Sequence, residues 1–498
     1  MKSFKLHRIG FLLLTTLLFG SASAQSFPIS TPEREGVPSE AVLSLLERFE
    51  NDIDAVHSIM ILRHGKRITQ AWWAPYDAAT PHVLHSLSKS FTSTAIGLAI
   101  GDGLLSLDDP LISFFPEDTP KEPSWQLKAM RIRDLLTMNT GHRREPRLRN
   151  ESTNWVRAFL HSEIEFKPGT HFQYNSAATY MLSAILQKVT GNRLVDYLDK
   201  RLFQPLGIQK PEWDLSPDGV NTGGWGLRVT TEDIAKLGQL YLQKGVWQEK
   251  RILSEDWVQQ ATSKQTSNGS NPDSDWDQGY GYQFWRCRHD CYRGDGAFGQ
   301  YCIVIPQHDV VVAVTSGVSD MGSIMTAIWD TLLPALGPSP LGINRGASRA
   351  LGNKLQDLSL PTVRELSELD QSLVLPEETF HLVENEAGVQ SITFSQTGKE
   401  HHIELETTQG KATLRLGTDA YLRSSMDSPL PYTQNKGTKI GASGAWIEAD
   451  VYQARIYFCE TPASIDYNFR FEDGGLIWES ELRHSLFGPR ETPAFRSK

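Results

Sequence analysis

The chain has 498 residues, a formal net charge of −10, 22% charged residues and 39% hydrophobic residues. That length allows two or three domains with a large core, and the composition is ordinary for a globular protein. An acidic chain without long Lys/Arg runs lacks the electrostatic footprint of a nucleic-acid binder, so no nucleic-acid partner is expected.

The N-terminus reads as a leader. Lys2 and Lys5 form a short basic region, residues 11–18 an apolar run too short to span a bilayer, and Ala22-Ser23-Ala24 a cleavage site before Gln25. Removal of residues 1–24 and a periplasmic or secreted destination are expected, with no integral membrane segment afterwards. Residues 39–53 carry Val42, Leu45, Leu46, Phe49 and Ile53 at helical spacing. A hairpin follows: residues 58–62 and 68–73 are strand-like, with His64-Gly65-Lys66 as the turn. A largely helical stretch runs over 86–241, punctuated by Asp108-Asp109-Pro110, Lys167-Pro168-Gly169 and Leu206-Gly207. Strands return at 279–285, 292–306 and 310–315. A helix then carries Ile324, Met325, Ile328, Trp329 and Leu332 on one stripe.

This order predicts an α+β domain over 25–340, an antiparallel sheet covered by helices. Composition shifts at Gly337-Pro338-Ser339-Pro340, so 341–375 reads as a linker with some helix. Residues 376–498 read as a β domain, a small sandwich or barrel, with strands at 391–394, 402–407, 412–416, 454–458 and 465–471.

Four cysteines, Cys287, Cys291, Cys302 and Cys459, are too few for a disulfide scaffold. Cys287 and Cys291 flank an expected tight turn, Arg288-His289-Asp290. A bridge between them and a pair of free thiols are both open, while a metal site using His289 lacks a second ligand cluster. His401 and His402 alternate across a strand and read as surface residues. His142, beside Arg143-Arg144, reads as part of a solvated loop.

Three segments carry chemistry. Ser86-Leu87-Ser88-Lys89 opens a helix expected to be amphipathic through Phe91, Ile96, Leu98 and Ile100. Residues three apart share a helix face, so the Lys89 amine can reach the Ser86 hydroxyl, and a serine is a poor nucleophile without an adjacent base. A capping serine followed by a solvated lysine would have the same sequence. Phe172-Gln173-Tyr174-Asn175-Ser176 sits at a loop–helix junction, where a tyrosine can relay protons in a cleft. A half-buried tyrosine with Asn175 and Ser176 as caps is the plainer alternative. In Arg293-Gly294-Asp295-Gly296-Ala297, glycines within a strand allow close approach of a ligand or another backbone, or mark a bulge. The backbone N–H groups of Ala297 and Ser86 are the expected oxyanion donors. Trp225 and Trp285 are candidate walls of a substrate cleft, though core aromatics are commoner.

Taken in order, residues 33–335 resemble the serine β-lactamase-related family, which includes class C β-lactamases, D-aminopeptidases, D,D-carboxypeptidases, certain esterases and nylon-oligomer hydrolases. Besides the three segments, the likeness rests on Gly103-Leu104-Leu105-Ser106-Leu107-Asp108-Asp109-Pro110, Ile132-Arg133-Asp134-Leu135-Leu136-Thr137-Met138-Asn139-Thr140-Gly141, Asn221-Thr222-Gly223-Gly224-Trp225-Gly226-Leu227, Thr231-Glu232-Asp233 and Ile305-Pro306. The resemblance implies a β-lactamase/transpeptidase-like fold with a helical subdomain beside a five-stranded antiparallel sheet. It also implies an acylated Ser86, Lys89 as base and Tyr174 as second-motif tyrosine. Two departures stand out. The third motif of the family begins with Lys or His, whereas Gly294-Asp295-Gly296 has no cation there. Ser176 replaces a common Asn. Arg293, a strand neighbour, is expected to point to the opposite face. The expected reaction is therefore hydrolysis of a small-molecule or peptide ester or amide, without efficient β-lactamase activity and without metal or organic cofactor. The alternative is a penicillin-binding-type sensor that binds peptide or holds an acyl group with little turnover. Ser176, Gly294, Asp295 and Gly296 are the expected substrate contacts, with the two tryptophans.

Overall fold

The computed structural model describes residues 26–151, 153–364, 373–426, 437–472, 474–483 and 494–497. The expected leader over 1–24 lies outside them. Helix α1 (Ser39–Asn51) precedes strands β1 (Val56–Arg63) and β2 (Lys66–Trp72). Then come helices α2 (Ser88–Gly101), α3 (Ser176–Thr190) and α4 (Thr231–Leu242) within the helical stretch. Strands β3 (Trp285–Arg286), β4 (Tyr292–Gly296), β5 (Gln300–Ile305) and β6 (Val310–Ser316) lead to α5 (Met321–Ala327). The first sheet is antiparallel in the order β2-β1-β6-β5-β4-β3. It has six strands rather than five, because Trp285, the last residue of the expected 279–285 strand, forms with Arg286 the edge strand β3, while the rest of that segment is irregular.

Every residue of β1 is buried, yet the strand still alternates. Met60 and Leu62 face the core with α2 and α4, while Ile59 and Ile61 face the core with α1 and α5. Helices thus cover both faces, and the hydrophobic run needs no solvent-facing side. α2 is the central helix of the first core. It is not amphipathic: Ser88, Ser90, Thr92 and Thr94 are buried with its apolar residues. Each finds a partner, as buried hydroxyls require. Leu227 N donates to Ser88 Oγ, Ser90 Oγ to Gln283 O, and Thr92 Oγ1 to Gly223 O, while Thr94 Oγ1 pairs with the Tyr241 hydroxyl at 2.8 Å. Ser88, Ser90 and Thr92 therefore tie α2 to the segments around the site.

Helix Arg345–Gln356 packs back on α1, and beyond it every helix or strand among the described residues is a strand. The strands are β7 (Thr379–His381), β8 (Val389–Thr397), β9 (Glu400–Thr407), β10 (Gly410–Gly417) and β11 (Leu422–Met426). They continue as β12 (Thr438–Trp446), β13 (Val451–Phe458), β14 (Ser464–Glu472), β15 (Gly475–Leu482) and β16 (Phe495–Arg496). They form one sheet in the order β7-β8-β9-β10-β12-β13-β14-β15-β16, with β11 on β12. The sheet curls until its ends meet: Leu382 bridges Ser497, and Val383 N donates to Arg496 O at 2.9 Å. Of the two expected outcomes this is the barrel, which removes exposed edges. Phe380, Phe394, Trp446, Phe469 and Trp478 fill its interior.

The barrel braces the approach to Ser86. Val83 N donates to Glu460 O at 2.8 Å, and the Tyr76 hydroxyl donates to Thr461 O at 3.1 Å. Arg423 pairs with Asp77 and donates to Thr80 Oγ1 at 3.2 Å. Behind these contacts Tyr76 stacks on His57 at 3.7 Å, and His57 Nδ1 lies 3.2 Å from His82 Nε2. Burial holds His82 down at about 4, so its imidazole is neutral at pH 7.

Three expectations change. Cys287 and Cys291 are both free thiols flanking the expected tight turn, and Cys287 Sγ instead accepts from Arg293 Nη1 at 3.1 Å. His142 is buried rather than solvated, bonded to Thr140 Oγ1 and Ser162 Oγ at 2.8 Å each, and burial lowers it to about 4. His401 is half-buried and bonds the Tyr452 hydroxyl at 2.8 Å, while His402, also half-buried, pairs with Glu400 at 2.9 Å. Among the described residues no helix is long and apolar enough to cross a membrane, and no group of three or more His, Cys, Asp or Glu is arranged to hold a metal ion.

Candidate active site

Ser86 sits in the 3-10 turn His85–Leu87, which runs directly into α2. Lys89, one turn on, is 1% exposed, and its Nζ makes three bonds. It lies 3.2 Å from Ser86 Oγ, 3.1 Å from Ser176 Oγ and 2.7 Å from Gly224 O. The amine also stands 4.9 Å from the centre of the Tyr174 ring. Ser86, Lys89, Tyr174 and Ser176 therefore meet at one point, although 88 positions separate the first from the third. The cap of α3 is Asn175, whose Oδ1 accepts from Ala178 N at 3.1 Å. That leaves the Ser176 hydroxyl to the lysine.

Electrostatics divides the labour. Burial lowers the Lys89 amine to about 7, with the Arg149 charge adding to the effect and Glu145 and Asp295 opposing it. About half of it is then neutral at pH 7, able to take a hydroxyl proton. Burial and the Asp295 charge push the Tyr174 phenol well above its ordinary range, although nearby Ser86 favours its ionised form. Tyr174 therefore stays a neutral phenol and can relay or donate a proton, but it cannot start as an anionic base. Trp285 stacks on it at 5.4 Å and 27°, and Tyr280 meets both edge-on, so Trp285 fixes the phenol as one wall of the crevice.

The third-motif strand behaves differently from expectation. A Cβ on Gly296 would lie 2.1 Å from Leu84 O, and one on Gly294 would lie 2.3 Å from Leu87 Cδ1. These glycines let β4 press against the nucleophile's own turn, so the close-approaching groups are this chain's Leu84 carbonyl and the Leu87 and Ser90 side chains. Arg293 and Asp295 share the opposite strand face, as alternation demands. Arg293 is fully buried and its Nη2 pairs with Asp295 at 2.8 Å, while its Nη1 donates to Asp275 O at 2.8 Å. The cation next to the motif is thus consumed internally, and Asp295 is held in that ion pair rather than offered to a ligand. Ala297 opens the turn after β4 and is half-buried, like Ser86. Trp225 follows Gly224 directly and carries the Arg149 guanidinium 4.1 Å from its ring centre.

Sequence reasoning missed three contributors. Gln283 is buried at φ 64° and ties the helices together: its Nε2 donates to Leu136 O at 2.8 Å, and its Oε1 accepts from Thr179 Oγ1 at 2.7 Å. No local pattern marks it. His85 precedes the nucleophile at φ 46°, and burial drives it down to about 3, so it is neutral. Gly224 contributes a carbonyl, which composition cannot reveal.

The β-lactamase family matches residues 50–325, more than half of the chain. The chain belongs to the serine β-lactamase-related family. It is similar to the 6-aminohexanoate-dimer hydrolase of Paenarthrobacter ureafaciens, 24% identical over 348 residues, covering 63% of this chain and 86% of that protein. A D-aminopeptidase of Brucella anthropi is 27% identical over 202 residues, covering 35% of this chain and 36% of its own length. Among solved structures, EstCE1, a hydrolase with promiscuous acyltransferase activity, aligns with a TM-score of 0.51 at 19% identity, covering 59% of this chain and 98% of that one. The fold is β-lactamase/transpeptidase-like with a C-terminal all-β domain, and this family member is a serine hydrolase of the β-lactamase type.

Proposed function

We propose that the protein is an exported hydrolase that opens an ester or amide bond through an acyl-Ser86 intermediate and is not an efficient β-lactamase. The observation that carries this reading is a buried amine, lowered to about 7, lying 3.2 Å from the Ser86 hydroxyl. Neutral Lys89 takes the Ser86 proton as Oγ attacks the carbonyl carbon. The backbone N–H groups of Ser86 and Ala297 receive the oxyanion, a contribution of about 3–4 kcal/mol per donor in such sites. The carbon–leaving-group bond then breaks, and the proton held by Lys89 passes, through the Tyr174 phenol, to the departing oxygen or nitrogen. Water repeats the sequence: Lys89 takes its proton, hydroxide adds to the acyl carbon, and Ser86 leaves reprotonated.

Two features support discounting β-lactams. Gly294 stands where the family has a cation, and Arg293 is committed to Asp295, so the strand wall presents no positive charge to a substrate carboxylate. Export rests on the leader reading of residues 1–24, and N-terminal sequencing of protein recovered from the periplasm or medium tests it. The decisive experiment compares wild type and Ser86→Ala on a short activated ester and follows intact mass after a fluorophosphonate probe. Turnover should fall by about three or more powers of ten in the variant. Unchanged hydrolysis would refute the nucleophile, a persistent adduct without turnover would make the protein an acyl trap, and efficient cephalosporin turnover lost in Ser86→Ala would overturn the substrate reading.

A further inference from the structure

The strand wall has no free cation, yet one stands beside the loop that holds the Lys89 amine. Arg149 lies in the 3-10 turn Leu148–Asn150, with its guanidinium over the Trp225 ring, 4.1 Å from the ring centre. Trp225 is the residue after Gly224, whose carbonyl holds the Lys89 amine at 2.7 Å, and its ring is backed by Trp155 at 5.9 Å. Arg149 is therefore seated on an aromatic floor one residue away from the carbonyl that holds the general base. Its charge is felt on both sides of the nucleophile, at His85 and at Lys89.

The side chain is exposed, and among the described residues it makes no ion pair. Of the two carboxylates whose fields reach it, Asp214 is taken by Arg228 at 2.6 Å, and Glu145 on the same loop does not close onto it. An arginine lying on an indole keeps its N–H edge free to fork a carboxylate, and the stacking removes much of the entropy such a contact would otherwise lose. A packing role alone would need only the aliphatic stem.

We propose that Arg149 on Trp225 is an anion-recognising subsite, so that this hydrolase prefers esters or amides carrying a carboxylate on the part lying against the helical wall, away from β4. Relative to the family's third motif, the site's polarity is reversed: the cation has moved across the crevice. This rests on the acyl-Ser86 reading, and the test separates the two.

Full-length protein is assayed on three chromogenic esters: 4-nitrophenyl butyrate, mono-4-nitrophenyl glutarate and 4-butyryloxy-3-nitrobenzoate. The second carries its carboxylate on the acyl part, the third on the leaving group. Removing Arg149 also lets the Lys89 amine rise and slows all three alike, so the readout is the ratio of kcat/KM for an anionic ester over the neutral one. Arg149→Gln should lower that ratio about fivefold to tenfold in one arm, mainly through KM, and the arm affected assigns the side of the substrate. Added salt should shrink the wild-type preference. Arg149→Glu should lower the ratio further and favour a cationic ester such as butyrylthiocholine. Ratios unchanged by Arg149→Gln in both arms would overturn the subsite. Hydrolysis of 4-nitrophenyl butyrate surviving Ser86→Ala would instead overturn the acyl-Ser86 reading.

Discussion

Replacing Lys89 by Met should abolish activity and raise stability. The folded protein buries an amine that prefers to be charged, and a drop from 10.5 to about 7 corresponds to about 5 kcal/mol between its charged and neutral forms. Met removes that burden and fits the same space, but it leaves Gly224 O and the Ser176 hydroxyl without their donor, at about 1 kcal/mol each. The net expectation at pH 6 is a gain of about 1–3 kcal/mol. The sign with pH follows from proton counting. Between about 7 and 10.5 the unfolded chain holds the proton that the folded state has lost, so this group makes wild-type stability rise with pH across that window. The advantage of Lys89→Met is therefore full below pH 7 and fades toward pH 10. Thermal denaturation of both proteins at pH 6 and pH 9, with ester hydrolysis measured alongside, checks both halves. A variant destabilised equally at the two pH values, or one retaining more than about 1% of turnover, would refute the assignment of Lys89 as a strained base.

Wild-type kcat/KM for a neutral ester should rise about tenfold between pH 6 and 8 along a single-proton limb centred near 7, because only the neutral amine accepts the Ser86 proton. A flat profile there would contradict it. Tyr174→Phe should slow turnover by about 10²–10⁴-fold while leaving the melting temperature within a few degrees, since the ring still stacks on Trp285. Gly296→Ala places a methyl 2.1 Å from Leu84 O and should push the nucleophile's turn off β4. Its kcat should fall by about 100-fold or more, with the far-UV circular dichroism spectrum unchanged.

The site was legible where its logic is local. Ser86 and Lys89 are three residues apart on one helical turn, so their contact follows from helix geometry alone. Tyr174 needed the family likeness, because a tyrosine at a helix entrance serves packing equally well. Asn175 and Ser176 both read as caps, and only the backbone of α3 decided that Asn175 caps while Ser176 faces the amine. α2 misled because a run of Ser and Thr looks solvent-facing, although Ser88, Ser90 and Thr92 are buried and bonded to segments far away in the chain. In the barrel, β12 escaped notice because Gly441 and Gly444 interrupt the alternation that marks a strand.

By itself the sequence determined the quantities set by neighbours along the chain: the nucleophile–amine spacing, the alternating strands, the loss of a cation at position 294 and the fate of Arg293, which a two-residue period sends to the face away from Gly294. Tertiary structure alone decided what depends on groups far apart in the chain. The pKa of Lys89 is set by burial among segments 135 residues apart, the barrel closes through Leu382 and Ser497, and Arg149 finds its indole 76 positions away. Desolvation and long-range contacts belong to the folded surroundings of a residue, and a string of letters records only its neighbours.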